Sequence, residues 1–417
     1  MNIYDVMKYI DGFSKSGEPV KNLYRFKRVM SALSNPQERL KLVHVAGTNG
    51  KGSTARMVAN ALALAGYKTG EFTSPYIRAY NERIRINGVN ISDMELCEIV
   101  SQIAPLLEGV TDGCSQFEIT TAIALVYFAA KNCEAVVLET GVGGLLDCTN
   151  IINTTLVSVI TSISYDHTAV LGNSLEAIAF QKAGIIKPGR PVVLSPNQSK
   201  EAVSVVRAAA NAKNSLLIIP NTERLTVEKC DCEGNRFIYK NALYVTSMLG
   251  KHQIENAMTA IETIRILRKI GFPKLSFIHA YEGIKTAKPL SRCQILRADE
   301  PFIMIDGAHN PGGMRALADF IREIPKAPKI MICGISNDKD WKTAIGYISR
   351  YIDFAVCVDG FAPQTVFAPT LAELFVSAEA CPLRKAVPKA IDLAGAHGMV
   401  VIAGSLYLAS ALMKQMG

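Results

Sequence analysis

Short apolar runs alternate with amphipathic stretches from about residue 40 onward: KLVHVA (41–46), STARMVANALALAG (53–66), then KTGEFTS (68–74). The first and third have the length of buried strands, and the second spaces its apolar positions as a helix does. The alternation continues through AVVLET (135–140), LVSVITSI (156–163), a helix near 174–183, PVVLS (191–195) and a helix near 200–212. Apolar runs this continuous belong to parallel strands covered on both faces, which predicts a doubly wound, mostly parallel α/β sheet. Between residues 214 and 248 the alternation in RFIYKNALYVTS predicts an antiparallel hairpin or small satellite sheet, and a long helix follows at about 252–270.

A second series begins after KTAKPLSR (285–292), where a proline and three basic residues mark a linker. FIMID (302–306), a helix from about 312, KIMICG (329–334), a helix from about 340, FAVCVD (354–359) and MVVIAGS (399–405) predict another parallel sheet with helices. The expected architecture is α/β in two domains. Residues 1–287 form a P-loop domain with a satellite β element, and residues 288–417 form a smaller Rossmann-like domain. A crevice between two such domains is a common place for a ligand.

Composition narrows the class. At 417 residues, 49% hydrophobic and 20% charged, the chain is neither disordered, collagenous nor coiled-coil. No run approaches the roughly 18 apolar residues of a membrane span, and MNIYDVMKYIDGF carries acids where a signal peptide would be basic and then apolar. Export is not expected. The ten cysteines are scattered, and one residue between Cys230 and Cys232 is too few for a zinc knuckle, so they read as free thiols in a reducing cytoplasm. Lys plus Arg exceeds Asp plus Glu by 45 to 37, too mild and dispersed for nucleic acid but suited to small anionic ligands. A monomer acting on small molecules is expected.

The strongest local chemistry lies in VAGTNGKGST (45–54), between a strand and a helix. Gly47, Gly50 and Gly52 let the backbone turn tightly and aim N–H groups at phosphate oxygens, and the helix start adds its positive dipole end. Lys51 would reach the terminal phosphates, and Ser53 or Thr54 would hold Mg²⁺. The strict Walker A pattern fails, because Val45 stands at its first glycine and Gly52 separates Lys51 from Ser53. A plain glycine turn is the competing reading; lysine within the glycine cluster and hydroxyls at the helix start favour nucleotide. Elsewhere Glu139 ends a strand before the glycine loop VGG, where open α/β sheets place ligands. Asp166 and His167 likewise follow an apolar strand, although a lone histidine there is more often an ordinary loop residue. Lys182 precedes a glycine near a helix end, where lysine commonly acts as a simple cap. Asp306, His309 and Asn310 follow a strand in IDGAHNP, with ISNDKDW and AGSLYL similarly placed, against the alternative of turn chemistry. No Gly-x-Ser-x-Gly elbow, HExxH helix or CxxC pair is present, which argues against a serine hydrolase, zinc protease or dithiol enzyme.

Taken together, SNPQ (34–37), HVAGTNGKGS (44–53), TSPYI (73–77), YNERIRING (80–88), FEITTA (117–122), LETGVGG, DHTAVLG, KAGIIK, HQIENA (252–257), DGAHNP and GSLYLAS (404–410) run end to end. In this order they resemble the folylpolyglutamate synthase and dihydrofolate synthase family of the Mur ligase superfamily. The resemblance implies a ligase that uses MgATP, or MnATP, to phosphorylate a carboxylate that L-glutamate then captures. By position, Gly50, Lys51, Gly52 and Ser53 match the phosphate loop. Ser74, Glu139 and His167, with Ser53, match metal ligands, and Lys182 matches a lysine carboxylated to a carbamate. Asn256, Arg292 and Asp306 match nucleotide-binding positions, and His309 a residue facing the reacting groups.

Departures cluster on the acceptor side. Leu145 and Cys148 stand in GGLLDCTN where the family usually reads GGRLDATN. Ala79 replaces an arginine, with Arg78 one place earlier; Gln181 replaces a common glutamate, and SRCQ (291–294) a typical GRLE. Phe117, Asp147, Arg78 and the NLYRF segment (22–26) remain as acceptor-pocket candidates. A folate is therefore the leading acceptor, with dihydropteroate a candidate second one. The altered pocket also admits a paralogous ligase acting on a non-folate acid. A nucleotide-binding regulator without ligation is disfavoured, because binding alone would not need Lys51, Glu139, His167, Lys182, Asp306 and His309 together.

Overall fold

The computed structural model describes residues 1–14 and 22–416. They pack as two units: Met1–Ile163, Ser174–Thr222 and Asn256–Ala287 in the first, Ser164–Asn173, Glu223–Glu255 and Lys288–Gly417 in the second.

The first unit is built on eight strands: β1 (Leu42–Ala46), β2 (Thr69–Phe72), β3 (Ile84–Ile86), β4 (Val89–Asn90), β5 (Ala135–Glu139), β6 (Thr155–Ile160), β7 (Val192–Leu194) and β8 (Leu217–Ile218). Their order across the sheet is β4-β3-β2-β5-β1-β6-β7-β8. From β2 to β8 every pairing is parallel, while β3 and β4 extend one edge antiparallel. All five residues of β1 and of β5 are buried, as central strands covered on both faces require. On one face the alanine-rich helix Lys51–Leu64 meets the helix Phe277–Lys285 so closely that a side chain on Gly283 would strike the Ala61 backbone. On the other, the ring of Phe128 lies against Gly70 of β2, which seats the helix Gln116–Ala130 on the sheet. That helix starts at Ser115, whose hydroxyl caps it while Glu118 returns the bond, and Glu118 also receives a two-pronged Arg25 guanidinium at 2.9 and 3.0 Å.

The second unit holds the antiparallel strands β9 (Leu225–Asp231), β10 (Gly234–Tyr239) and β11 (Ala242–Thr246), the satellite sheet the alternation predicts, which clusters with this unit and not with the first domain, where the sequence pattern places it. Its main sheet comprises β12 (Gln294–Arg297), β13 (Phe302–Ile305), β14 (Lys329–Cys333), β15 (Phe354–Cys357), β16 (Ala378–Ala380) and β17 (Met399–Ala403), in the order β12-β13-β17-β14-β15-β16. Only β12 runs antiparallel to its neighbour. The residues Leu217–Ile218, within the region where the alternation predicts an antiparallel element, instead add a half-buried parallel edge strand to the first sheet, held by its pairing with β7. The helix Lys251–Ile270 carries the chain between units, its residues to Glu255 counted with the second and those from Asn256 with the first. All ten cysteines are free thiols, and no helix among the described residues is long and apolar enough to cross a membrane.

Candidate active site

In the first unit the carboxyl ends of the parallel strands β1, β2, β5 and β6 share one edge of the sheet, the edge where open α/β sheets gather ligands. The turn after β1 is stitched to the end of β6: Thr48 N–H donates to the Ser162 carbonyl at 2.7 Å, and Thr161 Oγ1 donates to the Asn49 carbonyl at 2.7 Å. Two glycines are obligatory there. Gly47, at φ +152°, lies against Thr161, and Gly50, at φ +84°, lies against Asn256, so a Cβ at either would overlap its neighbour. Gly50 ends the turn as a helix N-cap without a side-chain hydrogen bond, leaving the first-turn N–H groups pointing outward.

Lys51 folds over this loop, its ammonium donating to the Gly47 and Thr48 carbonyls at 3.3 Å and standing 3.9 Å from Glu139 Oε1. The Glu139 carboxylate is only 3% exposed and accepts the Ser74 N–H at 3.1 Å. Ser53 is 1% exposed, and its hydroxyl, like that of Thr54, has no hydrogen-bond partner. A buried hydroxyl at a helix start beside an acid is costly unless something charged satisfies it. Phosphate oxygens and a hard cation suit that donor set of hydroxyl and carboxylate. Gly50, Lys51, Gly52, Ser53, Ser74, Glu139 and Asn256 are thus gathered at one edge.

The glycine loop after β5 forms a second cluster. Asp147 folds it: Oδ2 accepts the Gly141 and Val142 N–H groups, both at 2.9 Å, and Oδ1 accepts from Thr149 N–H at 3.0 Å and Thr149 Oγ1 at 2.6 Å. Burial raises the Asp147 carboxyl above its usual range, while those four donors pull it down. Phe117 lies so close to Gly141 that a side chain there would strike its ring. Leu145 N–H donates to the Gln181 carbonyl at 2.6 Å, and its Cα and Cβ press on Gly184. These contacts bring the loop to the end of the helix Leu175–Ala183, where Lys182 is 2% exposed. A lysine this buried is no exposed helix cap. Arg78 is exposed, and its backbone is pinned by Glu82, whose carboxylate accepts the N–H groups of Ile77, Arg78 and Ala79 at 2.8 to 3.3 Å.

In the second unit Asp166 is a hub. It accepts from Asn310 Nδ2 at 2.9 Å and Lys339 Nζ at 3.0 Å, with His309 Nε2 at 3.5 Å. Burial would raise its carboxyl, but the hydrogen bond from His309 and the charges of His309, His167 and Lys339 outweigh burial and hold it well below the usual range. His167, at φ +48°, places Nε2 3.2 Å from the Lys339 ammonium. Asp306 accepts the Cys293 and Ala308 N–H groups at 2.6 and 2.7 Å, and Gly307 packs against Arg292. Arg292 and Asp306 therefore sit together, as do His167 and His309. Sequence reasoning missed Lys339, whose signal was a strand-end NDKD, and His44, hidden inside an apolar run.

Two family descriptions match the chain: "Mur ligase middle domain" over residues 45–264 and "Mur ligase, glutamate ligase domain" over residues 291–406. The dihydrofolate synthase/folylpolyglutamate synthase of Bacillus subtilis (strain 168) is 33% identical, with 99% of this chain and 98% of that protein aligned. The folylpolyglutamate synthase of Lacticaseibacillus casei is 34% identical over 82% of this chain and 81% of its own. Among solved structures, E. coli FolC in complex with DHPP and ADP superposes with a TM-score of 0.88 at 26% identity, covering 100% of this chain and 98% of that one. The Mycobacterium tuberculosis folylpolyglutamate synthase complexed with ADP and AMPPCP gives 0.89 at 27%, with the same coverage.

Proposed function

Because this chain belongs to the dihydrofolate synthase and folylpolyglutamate synthase family of Mur ligases, it is an ATP-dependent ligase that adds L-glutamate to a folate, and we propose how its residues divide that work. Residues 1–287 supply the phosphate loop and the acceptor candidates, and residues 288–417, which hold the match to the glutamate ligase domain, add Arg292, Asp306 and His309. The N–H groups of Gly50, Gly52 and Ser53 and the Lys51 ammonium hold the ATP phosphates, with Asn256, Arg292 and Asp306 on the rest of the nucleotide. Ser53, Ser74, Glu139 and His167 would hold Mg²⁺ or Mn²⁺, which supplies charge neutralisation on the phosphates when bound. Phe117, Asp147 and Arg78 take the acceptor.

A carboxylate does not react with an amine at useful rates in water. Its oxygen therefore attacks the γ-phosphorus, the bond to ADP breaks, and an acyl phosphate forms. Lys51 spreads the charge developing on the transferred group, which is electrostatic work. The glutamate amine, once it has given up its proton, adds to the acyl carbon, and phosphate leaves with the C–O bonding pair. His309 faces these groups. Lys182 acts as a carbamate: CO₂ adds to its neutral amine, a C–N bond forms and a proton is released, so a buried cation becomes an anion. We infer a monomeric, cytoplasmic enzyme, in keeping with ten free thiols; sedimentation at working concentration checks the first point.

The observation that carries this division is the phosphate loop, with Lys51 3.9 Å from the buried Glu139 and the Ser53 hydroxyl buried without a partner. Incorporation of labelled glutamate into a reduced folate should require ATP and a divalent cation. Incorporation without ATP, or with no folate at all, would refute the reading.

A further inference from the structure

His44 is a titratable side chain in the middle of an otherwise apolar central strand, fully buried and used by none of the chemistry above. Its Nε2 lies 2.8 Å from Thr149 Oγ1. Thr149 has one hydroxyl proton, and at 2.6 Å from Asp147 Oδ1 that proton goes to the carboxylate. His44 must then donate from Nε2, leaving Nδ1 as the bare lone pair that has no partner. The chain of donors therefore has one direction: His44 to Thr149, Thr149 to Asp147, with Asp147 also receiving the Gly141 and Val142 N–H groups. Neighbours of Thr149 hold the same loop from other sides. Cys148 Sγ contacts Thr121 Oγ1 at 3.5 Å, and Asn150 Nδ2 donates to the Leu145 and Gly184 carbonyls at 3.0 and 3.2 Å.

We propose that His44 and Thr149 are positioning residues for acceptor binding, setting the glycine loop beside Phe117 from the same strand that leads into the phosphate loop. The proposal rests on the acceptor reading above for its meaning, but not for its geometry. Neither side chain touches the reacting groups; each acts through Asp147. Thr149→Val removes the hydroxyl, deprives Asp147 of one donor and leaves a buried imidazole N–H unpaired, whereas Thr149→Ser keeps the link.

The test combines kinetics with amide exchange. Thr149→Val should raise the KM for a reduced folate about tenfold or more, with kcat and the KM for ATP within about twofold, and Thr149→Ser should restore the KM. Equal losses for ATP and acceptor, or no change in either, would overturn the proposal. Hydrogen exchange at the Gly141 and Val142 amides reads positioning without turnover: it should quicken about tenfold in Thr149→Val and stay unchanged in the first turn of the helix Lys51–Leu64. Unaltered exchange at those two amides sinks the relay whatever the kinetics. A wild-type protein that ligates glutamate to no folate, with exchange still quickened by Thr149→Val, would remove the acceptor reading and leave the relay standing.

Discussion

Single residues here do their work through what they are denied. Lys51 is held by two carbonyls of its own loop, with the Glu139 carboxylate 3.9 Å away, so Lys51→Ala should cost roughly two to three powers of ten in turnover and leave the fold intact, with near-normal thermal unfolding. Unchanged turnover in a normally folded variant would remove the phosphate-loop assignment. His44 carries a pH signature. Burial, helped by the charge of Lys187, pushes its imidazole down to about 3 from the usual 6.5. The folded chain thus keeps it neutral, and the unfolded chain takes up a proton below pH 6.5. Its contribution is full above that pH and is lost as pH falls towards about 3, a slope of about 1.4 kcal/mol per pH unit within the window. Urea unfolding between pH 6.5 and about 4.5 should show a dependence shallower by one proton in His44→Gln; identical slopes would contradict the neutral assignment. Residue types alone marked Lys51, Glu139 and Asp306 as candidates, because glycine loops and strand ends advertise themselves. They did not mark His44 or Lys339, whose meaning depends on partners 105 and 173 positions away.

At the scale of elements, the buried parallel strands were legible because their apolar runs are short and alternate with amphipathic segments, as strands covered on both faces do. The edges were not. β16 reads AEA and β12 reads QILR, neither with a run long enough to stand out, and both are stabilised by a neighbour rather than by their own pattern. The helix Gln116–Ala130 is apolar nearly all round, so its periodicity is faint, and what fixes it is the Ser115–Glu118 cap with the Arg25 fork. The helix Leu175–Ala183 bears on Lys182. An ammonium so deeply buried loses its hydration, and an added carboxylate would change its charge. Lys182→Ala should therefore lose activity that small carboxylic acids partly restore. No carbamate carbon signal in ¹³C NMR of active, folded enzyme equilibrated with ¹³C-bicarbonate at neutral pH would return Lys182 to a structural role.

For the whole molecule the open quantity is acceptor preference. Leu145 and Ala79 stand where the resemblance drawn from the sequence leads one to expect arginines, and Glu82 pins the backbone at Arg78, which limits how far that side chain can substitute. A missing charge-assisted hydrogen bond is worth about 1.5 to 3 kcal/mol, or one to two powers of ten. Dihydropteroate has no glutamate tail to compensate, so it should show the lower kcat/KM beside a reduced folate at fixed ATP and glutamate. A ratio favouring dihydropteroate would show that the substitutions spare the pterin site. The chain's five passages between its units have a consequence for how the protein is made. Asp166 leaves the ribosome 144 residues before Asn310 and 173 before Lys339. At about 5–20 residues per second, its carboxylate waits roughly 9–35 s for the last of them. Throughout that interval the segment 164–173 belongs to a unit that does not yet exist, while the sheet on either side of it in sequence is free to close. Neither unit is one unbroken stretch of chain, so a nascent protein arrested anywhere before residue 288 lacks the main sheet of the second unit and holds this segment without its partners. Slow translation through the last third of the message would lengthen that exposure, and yield of intact protein should fall with it.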